Sequence, residues 1–526
     1  MKLLQSLLNP EIYGHPVAVI ELLETHISWV ILTGEYAYKI KKPVNLGFLD
    51  FSTLEKRCFY CNEEIRLNKR LAPQIYLQTV AFTGSETSPQ INGSGPVLEY
   101  AVKMRQFRQQ DQFDRLLEHN RLSHHDIRDL ALLIAKFHQS ARIVAADSNF
   151  GDAQHIYAPV EENYSQINTL VETDEYRKAL QSLAHWSQSE FHRLQPQFIK
   201  RKNGGFVREC HGDMHLRNIA KYRGAIVVFD CIEFSDNLRW IDVISEIAFI
   251  EMDLHDRGRA DYATILLNAY LQACGDYQGI PLLRFYLVYR AMVRAKVACI
   301  RAHQEGIEAR ERTETLGELS HYLNLANGFT RPEPPALLIT SGFSGCGKTY
   351  VSDQLMEYMR FIRLRSDIER KRLFGLAADD NSHSPIDSGI YTEEASVKTY
   401  QQLAELSHCI LTSQWSVLVD AAFLFSDQRQ PFQKLAADLN IPFLILHFYA
   451  PPSLLLERVR ERQQSKSDAS EADVLVLESQ ISRQKPPDSR EIPYILEIDS
   501  SKDIDTANLA QRIQHALKSQ RPVKPR

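Results

Sequence analysis

Ala336-Leu337-Leu338-Ile339-Thr340-Ser341 runs directly into Gly342-Phe343-Ser344-Gly345-Cys346-Gly347-Lys348-Thr349. An apolar stretch that reads as a buried strand meets a glycine-rich turn, and Thr349 opens a helix. That context is what a phosphate-binding P-loop requires. Its glycines let backbone N–H groups converge on phosphate oxygens, and the helix N-terminus adds positive potential. Lys348 then reaches the outer phosphates and Thr349 is placed to ligate magnesium. Gly342, Ser344, Gly345, Cys346, Gly347, Lys348 and Thr349 are the candidate nucleotide-binding residues.

Downstream, strand-like runs alternate with helical ones: Phe361 to Arg365, Ser416 to Asp420, Pro442 to Phe448 and Tyr494 to Asp499. Such a βαβ series predicts an α/β P-loop domain over 336–500, with a five-stranded parallel sheet and helices on both faces. A C-terminal helix and a frayed basic tail are expected over 501–526. Val417-Leu418-Val419-Asp420 is an apolar strand that delivers a carboxylate to a P-loop metal, so Asp420 joins Thr349 as a candidate magnesium ligand. Ser366-Asp367-Ile368-Glu369-Arg370 follows the second strand at the sheet's carboxyl edge, where acceptors bind. There Asp367 is suited to orient a hydroxyl and Arg370 an anion. Arg458, Arg460 and Arg462 lie in a helix before the polar stretch Gln463 to Asp473, the layout of a lid that carries arginines to a transferring phosphate. Surface ion pairing is the competing role for each.

Phe329-Thr330-Arg331-Pro332-Glu333-Pro334-Pro335 resists both helix and interior strand and marks a linker over 326–335. Before it stands a second constellation, His211-Gly212-Asp213-Met214-His215-Leu216-Arg217-Asn218, with Asp230 closing the apolar run Ile226 to Phe229. Phosphoryl transfer needs a group to orient the acceptor hydroxyl and ligands to hold magnesium. Asp213 fits the first task, and Asn218 and Asp230 the second. Upstream, alternation over Val17 to Leu23, His26 to Thr33 and Tyr36 to Lys41 predicts an antiparallel meander. It places Ala37, Lys39 and Lys41 on one face. Tyr36-Ala37-Tyr38-Lys39 mimics the phosphate-lysine strand of kinases. Lys39 is the preferred phosphate lysine and Lys41 its rival. A helix over Leu54 to Leu71 offers Glu64 as partner, with Glu63 the alternative. A β-rich lobe over 1–104 and a helical lobe over 105–325 follow from the change of pattern, an α+β bilobal plan.

These residues resemble the aminoglycoside phosphotransferase-like family of small-molecule kinases, whose loop reads H-G-D-x-H-x-x-N. The resemblance covers nearly all of 1–325. It implies a protein-kinase-like fold with Asp213 as catalytic base and Asn218 and Asp230 as magnesium ligands. The chain departs from protein kinases at Gly212 and at Cys231-Ile232, which disfavours protein phosphorylation. The second part is similar to small P-loop kinases of the gluconate kinase, chloramphenicol phosphotransferase and zeta-toxin type. That likeness implies ATP-dependent phosphorylation of a small molecule, with Asp367 and Arg370 near the acceptor. The tandem resembles bacterial proteins described as bifunctional aminoglycoside phosphotransferase and ATP-binding proteins. What is implied is an ATP- and Mg²⁺-dependent phosphotransferase acting on hydroxyl acceptors. Two readings compete: ATP binding that only regulates, or a toxin-like nucleotide-sugar kinase in the second part.

Bulk properties agree. A chain of 526 residues, 44% apolar and 24% charged, exceeds one hydrophobic core. A net charge of −5 offers no global field for nucleic acid or anionic lipid. No apolar run approaches a membrane span, and the eight cysteines are scattered, which together predict a cytoplasmic protein with reduced thiols. Cys58 and Cys61 form a C-x-x-C without a second pair, read as structural. Between 230 and 256 lie Asp230, Glu233, Asp236, Asp242, Glu246, Glu251, Asp253 and Asp256. They suit a cationic acceptor such as an amino sugar, or else face water and cap helices.

Overall fold

The computed structural model describes residues 2–47, 49–304, 306–378, 380, 389–465, 473–483 and 488–520, with side chains up to 463 in the segment ending at 465. They form two compact units, one of Met1–Thr169 with Phe191–Asp253 and the other of Leu170–Glu190 with Leu254–Arg526.

In the first unit, β1 (Glu21–Glu24), β2 (Ser28–Leu32), β3 (Tyr36–Lys41), β4 (Tyr76–Ser85), β5 (Ser88–Ile91) and β6 (Val97–Arg105) make an antiparallel sheet in the order β1-β2-β3-β6-β4-β5. The first strand is shorter than its alternation suggests. Val17 and Ile20 pack against the lobe core without pairing, so their apolar pattern reports burial and not a ladder. Tyr38 and Ile40 of β3 enter that core beside Leu7, Tyr13, Ile31 and Phe82. The strand's period of two therefore turns Lys39 and Lys41 to the other face.

Helix α1 (Leu54–Asn68) starts where the Thr53 side chain accepts from Lys56 N. It ends before the expected Leu71, because Leu71 N and Ala72 N both turn back to Asn68 O. Cys61 of this helix is fully buried, against Tyr76, Val102 and Val227. All eight cysteines are free. Helix α2 (His124–Ser140) opens on a reciprocal Ser123–Asp126 cap. Beyond it β7 (Val207–Glu209), β8 (Ile219–Tyr222), β9 (Ala225–Val228) and β10 (Trp240–Asp242) pair as two short ladders, β7 with β10 and β8 with β9. Helix α3 (Val243–Asp256) follows. The loop His211–Asn218 thus hangs between two ladders, and Asp230 lies two residues past β9.

The second unit takes in helices upstream of the proline-rich segment: α4 (Ala260–Cys274), α5 (Ile280–Ala302) and α6 (Ala309–Phe329). Compactness therefore does not divide the chain at those prolines. Arg284 of α5 shows why, donating to Phe329 O and Gln414 O and lying 4.9 Å from the Trp415 ring centroid. The sheet strands are β11 (Leu337–Ser341), β12 (Ile362–Arg365), β13 (Val417–Asp420), β14 (Phe443–Tyr449) and β15 (Ile495–Asp499), all parallel in the order β12-β13-β11-β14-β15. Every residue of β11 and β13 is buried, as a sheet covered on both faces demands. The covering helices are α7 (Lys348–Leu355), α8 (Ser366–Leu373), α9 (Glu393–Thr412), α10 (Ser426–Asp438), α11 (Pro452–Ser465), α12 (Val474–Arg483) and α13 (Thr506–Ser519). Most of the polar stretch after Gln463, and the basic residues 521–526, lie outside the described residues. Among the described residues no helix is long and apolar enough to cross a membrane.

Two candidate phosphate-handling sites

In the first unit both rival lysines meet one carboxylate. Lys39 Nζ lies 2.9 Å from Glu64 Oε1 and 2.5 Å from Asp230 Oδ1, while Lys41 Nζ lies 2.7 Å from Glu64 Oε2 and also bonds Glu233. Glu63 instead pairs with Arg66 at 2.8 Å. The two lysines differ in access. Lys41 is fully buried, whereas Lys39 keeps 13% of its side chain exposed and Asp230 keeps 48%. Lys39 and Asp230 are therefore the pair a phosphate and its metal can reach.

Burial works against the charge of both lysines, but Asp230, Glu64 and Glu233 outweigh it and hold Lys39 well above the ordinary lysine pKa. Burial would likewise raise Glu64, yet Lys39 and Lys41 bring its pKa below the usual carboxylate value. For Glu233 burial prevails and the pKa is raised. The sign for Glu64 fixes a pH dependence. Its ionised form stabilises the fold above the unfolded-state pKa near 4.3, and that contribution disappears as pH falls through the lower folded value. Glu64→Gln leaves two buried cations short of a counter-charge. It should lose about 3–5 kcal/mol at pH 7, with the gap to wild type closing below about pH 4 in denaturant titrations.

The candidate catalytic loop is laced to the Asp230 segment. His211 Nε2 lies 2.9 Å from Phe229 O, Phe229 N donates to Asn218 O at 2.9 Å, and Ile232 N donates to His211 O at 3.1 Å. Burial lowers the His211 pKa, which keeps the ring neutral as a structural link. Asn218 Nδ2 is committed to Asp213, 2.9 Å from its carbonyl and 3.2 Å from Oδ2, so Asn218 Oδ1 is the atom left for a cation. Asp213 Oδ2 also lies 3.4 Å from His215 Nε2, and its side chain is 37% exposed. Gly212 has φ +89°, and a Cβ there would sit 2.6 Å from Leu238 O. Asp230 is itself left-handed at φ 63°, a conformation that non-glycine residues adopt at a cost and mostly at functional positions. Tyr76 OH holds it by accepting from Asp230 N at 3.1 Å.

Glu246 is a residue that spacing did not single out for this loop. Its Oε1 accepts from His211 N at 2.8 Å and Gly212 N at 2.7 Å, and its Oε2 meets His138 Nε2 at 2.8 Å. His138, Cys210 and Glu246 are close enough to surround a metal, but both Glu246 oxygens are already taken in this hydrogen-bonded anchor. The acidic run meets its expectations only in part: Asp242 caps α3, accepting from Ile244 N at 2.9 Å. Glu233, Asp242, Glu246, Glu251 and Asp253 are buried. Asp242 pairs with Arg201 at 2.6 Å, and Asp253 accepts from Leu216 N at 2.8 Å. Most of these carboxylates are internal fasteners and not a surface for a cationic acceptor.

In the second unit the P-loop surrounds its own lysine. Lys348 Nζ donates to Gly342 O at 2.9 Å and Phe343 O at 2.8 Å, and no carboxylate pairs with it among the described residues. Gly342 (φ +143°) has no room for a side chain, since a Cβ would overlap Phe448 O and approach Cys346 Sγ to 2.8 Å. Gly345 and Gly347 are left-handed too. Ser344 N donates to Gln480 Oε1 at 2.9 Å, so an amide oxygen sits where a phosphate oxygen would bond. Asp420 closes β13 and accepts from Ser352 Oγ at 3.3 Å. A cavity of about 490 Å³ is lined by Lys348, Thr349, Asp420, Asp367, Arg370 and Arg458 together with neighbouring side chains.

Ser344, Gly345 and Gly347 also face this cavity, whereas Cys346 is buried beneath it. Arg458 donates to Gly345 O at 3.5 Å and Ser500 O at 2.8 Å, which fixes it beside the loop. Arg462 lines the cavity as well, and Arg460 is exposed elsewhere on α11. Arg483, Gln480, Tyr391 and Tyr400 line it without having been singled out in the sequence. Burial pushes the Tyr400 hydroxyl up to about 12, so it stays a neutral donor and acceptor.

Residues 337–487 match the family model described as an AAA domain. An uncharacterized protein of Mycobacterium tuberculosis strain H37Rv is 28% identical over 460 residues, which span 87% of this chain and 90% of its own. A protein of Mycobacterium bovis matches equally well. Among solved structures, an amicoumacin kinase bound to AMP-PNP, Ca²⁺ and Ami is 11% identical and covers 60% of this chain and 89% of its own, with a TM-score of 0.38. A gluconokinase from Sinorhizobium meliloti is 18% identical and covers 36% of this chain and 93% of its own, with a TM-score of 0.25.

Proposed function

We propose that the chain is a tandem ATP-dependent phosphotransferase, with one magnesium-requiring site in each unit acting on a small-molecule hydroxyl. The single observation that carries this is the gathering of Lys348, Thr349, Asp420, Asp367, Arg370 and Arg458 around one cavity at the carboxyl edge of a parallel sheet. Magnesium-bound ATP, when present, supplies the transferable phosphoryl group. The residues fit it: a glycine cradle in which Gly342 and Gly345 have no room for a Cβ, a lysine held by two carbonyls and a thiol sulfur, and a carboxylate at a strand end.

The chain's own part is orientation and charge. In the second site Lys348 and the loop amides would neutralise phosphate oxygens, Thr349 and Asp420 would hold magnesium, and Arg458 would add charge from α11. Asp367 receives the acceptor's hydroxyl proton. Arg370 is 92% buried on the 8% exposure of its surface. Its Nη1 donates to Ile390 O at 3.0 Å and Ser396 Oγ at 3.1 Å, and its Nε has no partner. A buried guanidinium with a spare donor suits an acceptor that carries an anionic group.

In the first site Lys39, kept charged by Asp230 and Glu64, would exchange Asp230 for a phosphate oxygen, Asp230 and Asn218 would hold magnesium, and Asp213 would take the hydroxyl proton. A metabolite-library screen for phosphate transfer from labelled ATP tests both halves, comparing wild type with Asp213→Asn and Lys348→Ala. Each substitution should erase the products of its own site and keep those of the other. A library in which wild type labels nothing would defeat the reading.

A further inference from the structure

Strand β12 is the outermost strand of the second unit's sheet, so its outer edge has no backbone partner. A side chain takes that place. Asn268 of α4 donates from Nδ2 to Phe361 O at 2.9 Å and accepts at Oδ1 from Arg363 N at 2.6 Å. This amide copies the pair of hydrogen bonds that a neighbouring strand would make. It is 1% exposed, so water cannot substitute for it.

The chain leaves β12 directly into α8, which carries Asp367 and Arg370 on the cavity. At 100° per residue, positions 369 and 372 centre about 160° away from positions 367 and 370. That far side is gripped by the last turn of α4 and the residues just after it. Arg372 Nη2 donates to Gln272 O at 2.6 Å and Nη1 bonds Glu369. Gly275, left-handed at φ +77°, brings its backbone so close that a Cβ would lie 2.5 Å from Arg372 Nε. Tyr277, buried, stands beside the same Glu369 and Arg372.

We propose that Asn268, Gly275 and the Arg372–Glu369 pair form a positioning clamp, through which helices before the proline-rich segment set Asp367 and Arg370 for the second reaction. This rests on the phosphotransfer reading of that site. None of the clamp residues lines the cavity, so they act through α8. The nucleotide side sits on α7 with Lys348 and on β13 with Asp420; β12 touches it through Arg363 Nη1, which donates to Thr349 O at 3.3 Å and Ser352 Oγ at 3.1 Å, and not through the clamp residues themselves.

The test uses the full chain with Asp213→Asn as background, adding Asn268→Leu or, separately, Gly275→Ala. Hydrogen–deuterium exchange should rise about tenfold or more over residues 362–373, while β11 and β14 stay protected. The affinity for a fluorescent ATP analogue with Mg²⁺ should stay within about twofold, and Lys348-dependent ATP turnover should fall about tenfold in kcat with KM for ATP unchanged. Unchanged exchange at 362–373 in both variants would overturn the clamp. So would exchange that rises across the whole sheet with nucleotide affinity lost in parallel, since that marks a merely structural role. If the background protein shows no Lys348-dependent turnover, the reading of the site fails, and exchange alone still decides the clamp.

Discussion

Asp213→Asn should reduce phosphate transfer at the first site by about 10²–10⁴-fold in kcat, with little change in KM for ATP. The substitution keeps shape and removes the capacity to accept a proton. The loop around it is held by other groups: Glu246 on the amides of His211 and Gly212, His211 on Phe229 O, and Asp253 on Leu216 N. Lys39, Asn218 and Asp230, the residues proposed to hold nucleotide and metal, are not altered. Steady-state kinetics on an acceptor recovered from the library screen would check this. A loss that appears in KM for ATP, or a rate equal to wild type, would mean that Asp213 is not the base. Products of the second site should be unaffected, because Lys348 and Asp367 belong to the other compact unit.

What the sequence displayed were the local patterns. The P-loop, the strand before it and the four strands after it are continuous segments whose glycine spacing and alternation are visible along the chain. The same holds for His211–Asn218, and for Lys39 and Lys41 on one face of β3. Long-range pairings were hidden. Lys39 meets Asp230 across 191 positions, and Ser344 meets Gln480 across 136. The choice between Lys39 and Lys41 was open for the same reason. Glu64 serves both lysines, and only their unequal exposure, set by packing, separates a reachable lysine from a sealed one. Acidic residues misled most. A run of carboxylates between 230 and 256 looks like a surface, but burial depends on partners such as Arg201 and the amide of Leu216, which composition cannot reveal. Of the linker expected over 326–335, residues 326–329 continue α6 and only 330–335 are irregular. That stretch does not bound the compact unit, because Asn268 and Arg284 reach across to strand and loop beyond it.

Lys348→Ala should abolish transfer at the second site, losing about 10²–10³-fold or more in kcat, and leave the first site intact. The apo protein should hardly notice. Lys348 Nζ bonds only two neutral carbonyls of its own loop and a nearby thiol sulfur, so no buried counter-charge is stranded when it goes. Binding is where the change appears. A nucleotide present at a hundred times its Kd stabilises a fold by about 2.7 kcal/mol, and that increment should vanish for the second unit in the variant. Thermal unfolding with and without Mg·ATP, in wild type and in Lys348→Ala, separates the two effects. Equal unfolding temperatures without nucleotide and unequal ones with it would place Lys348 on phosphate. An apo protein already destabilised by the substitution, with a nucleotide shift as large as wild type, would make Lys348 a structural residue and remove the second site from the proposal.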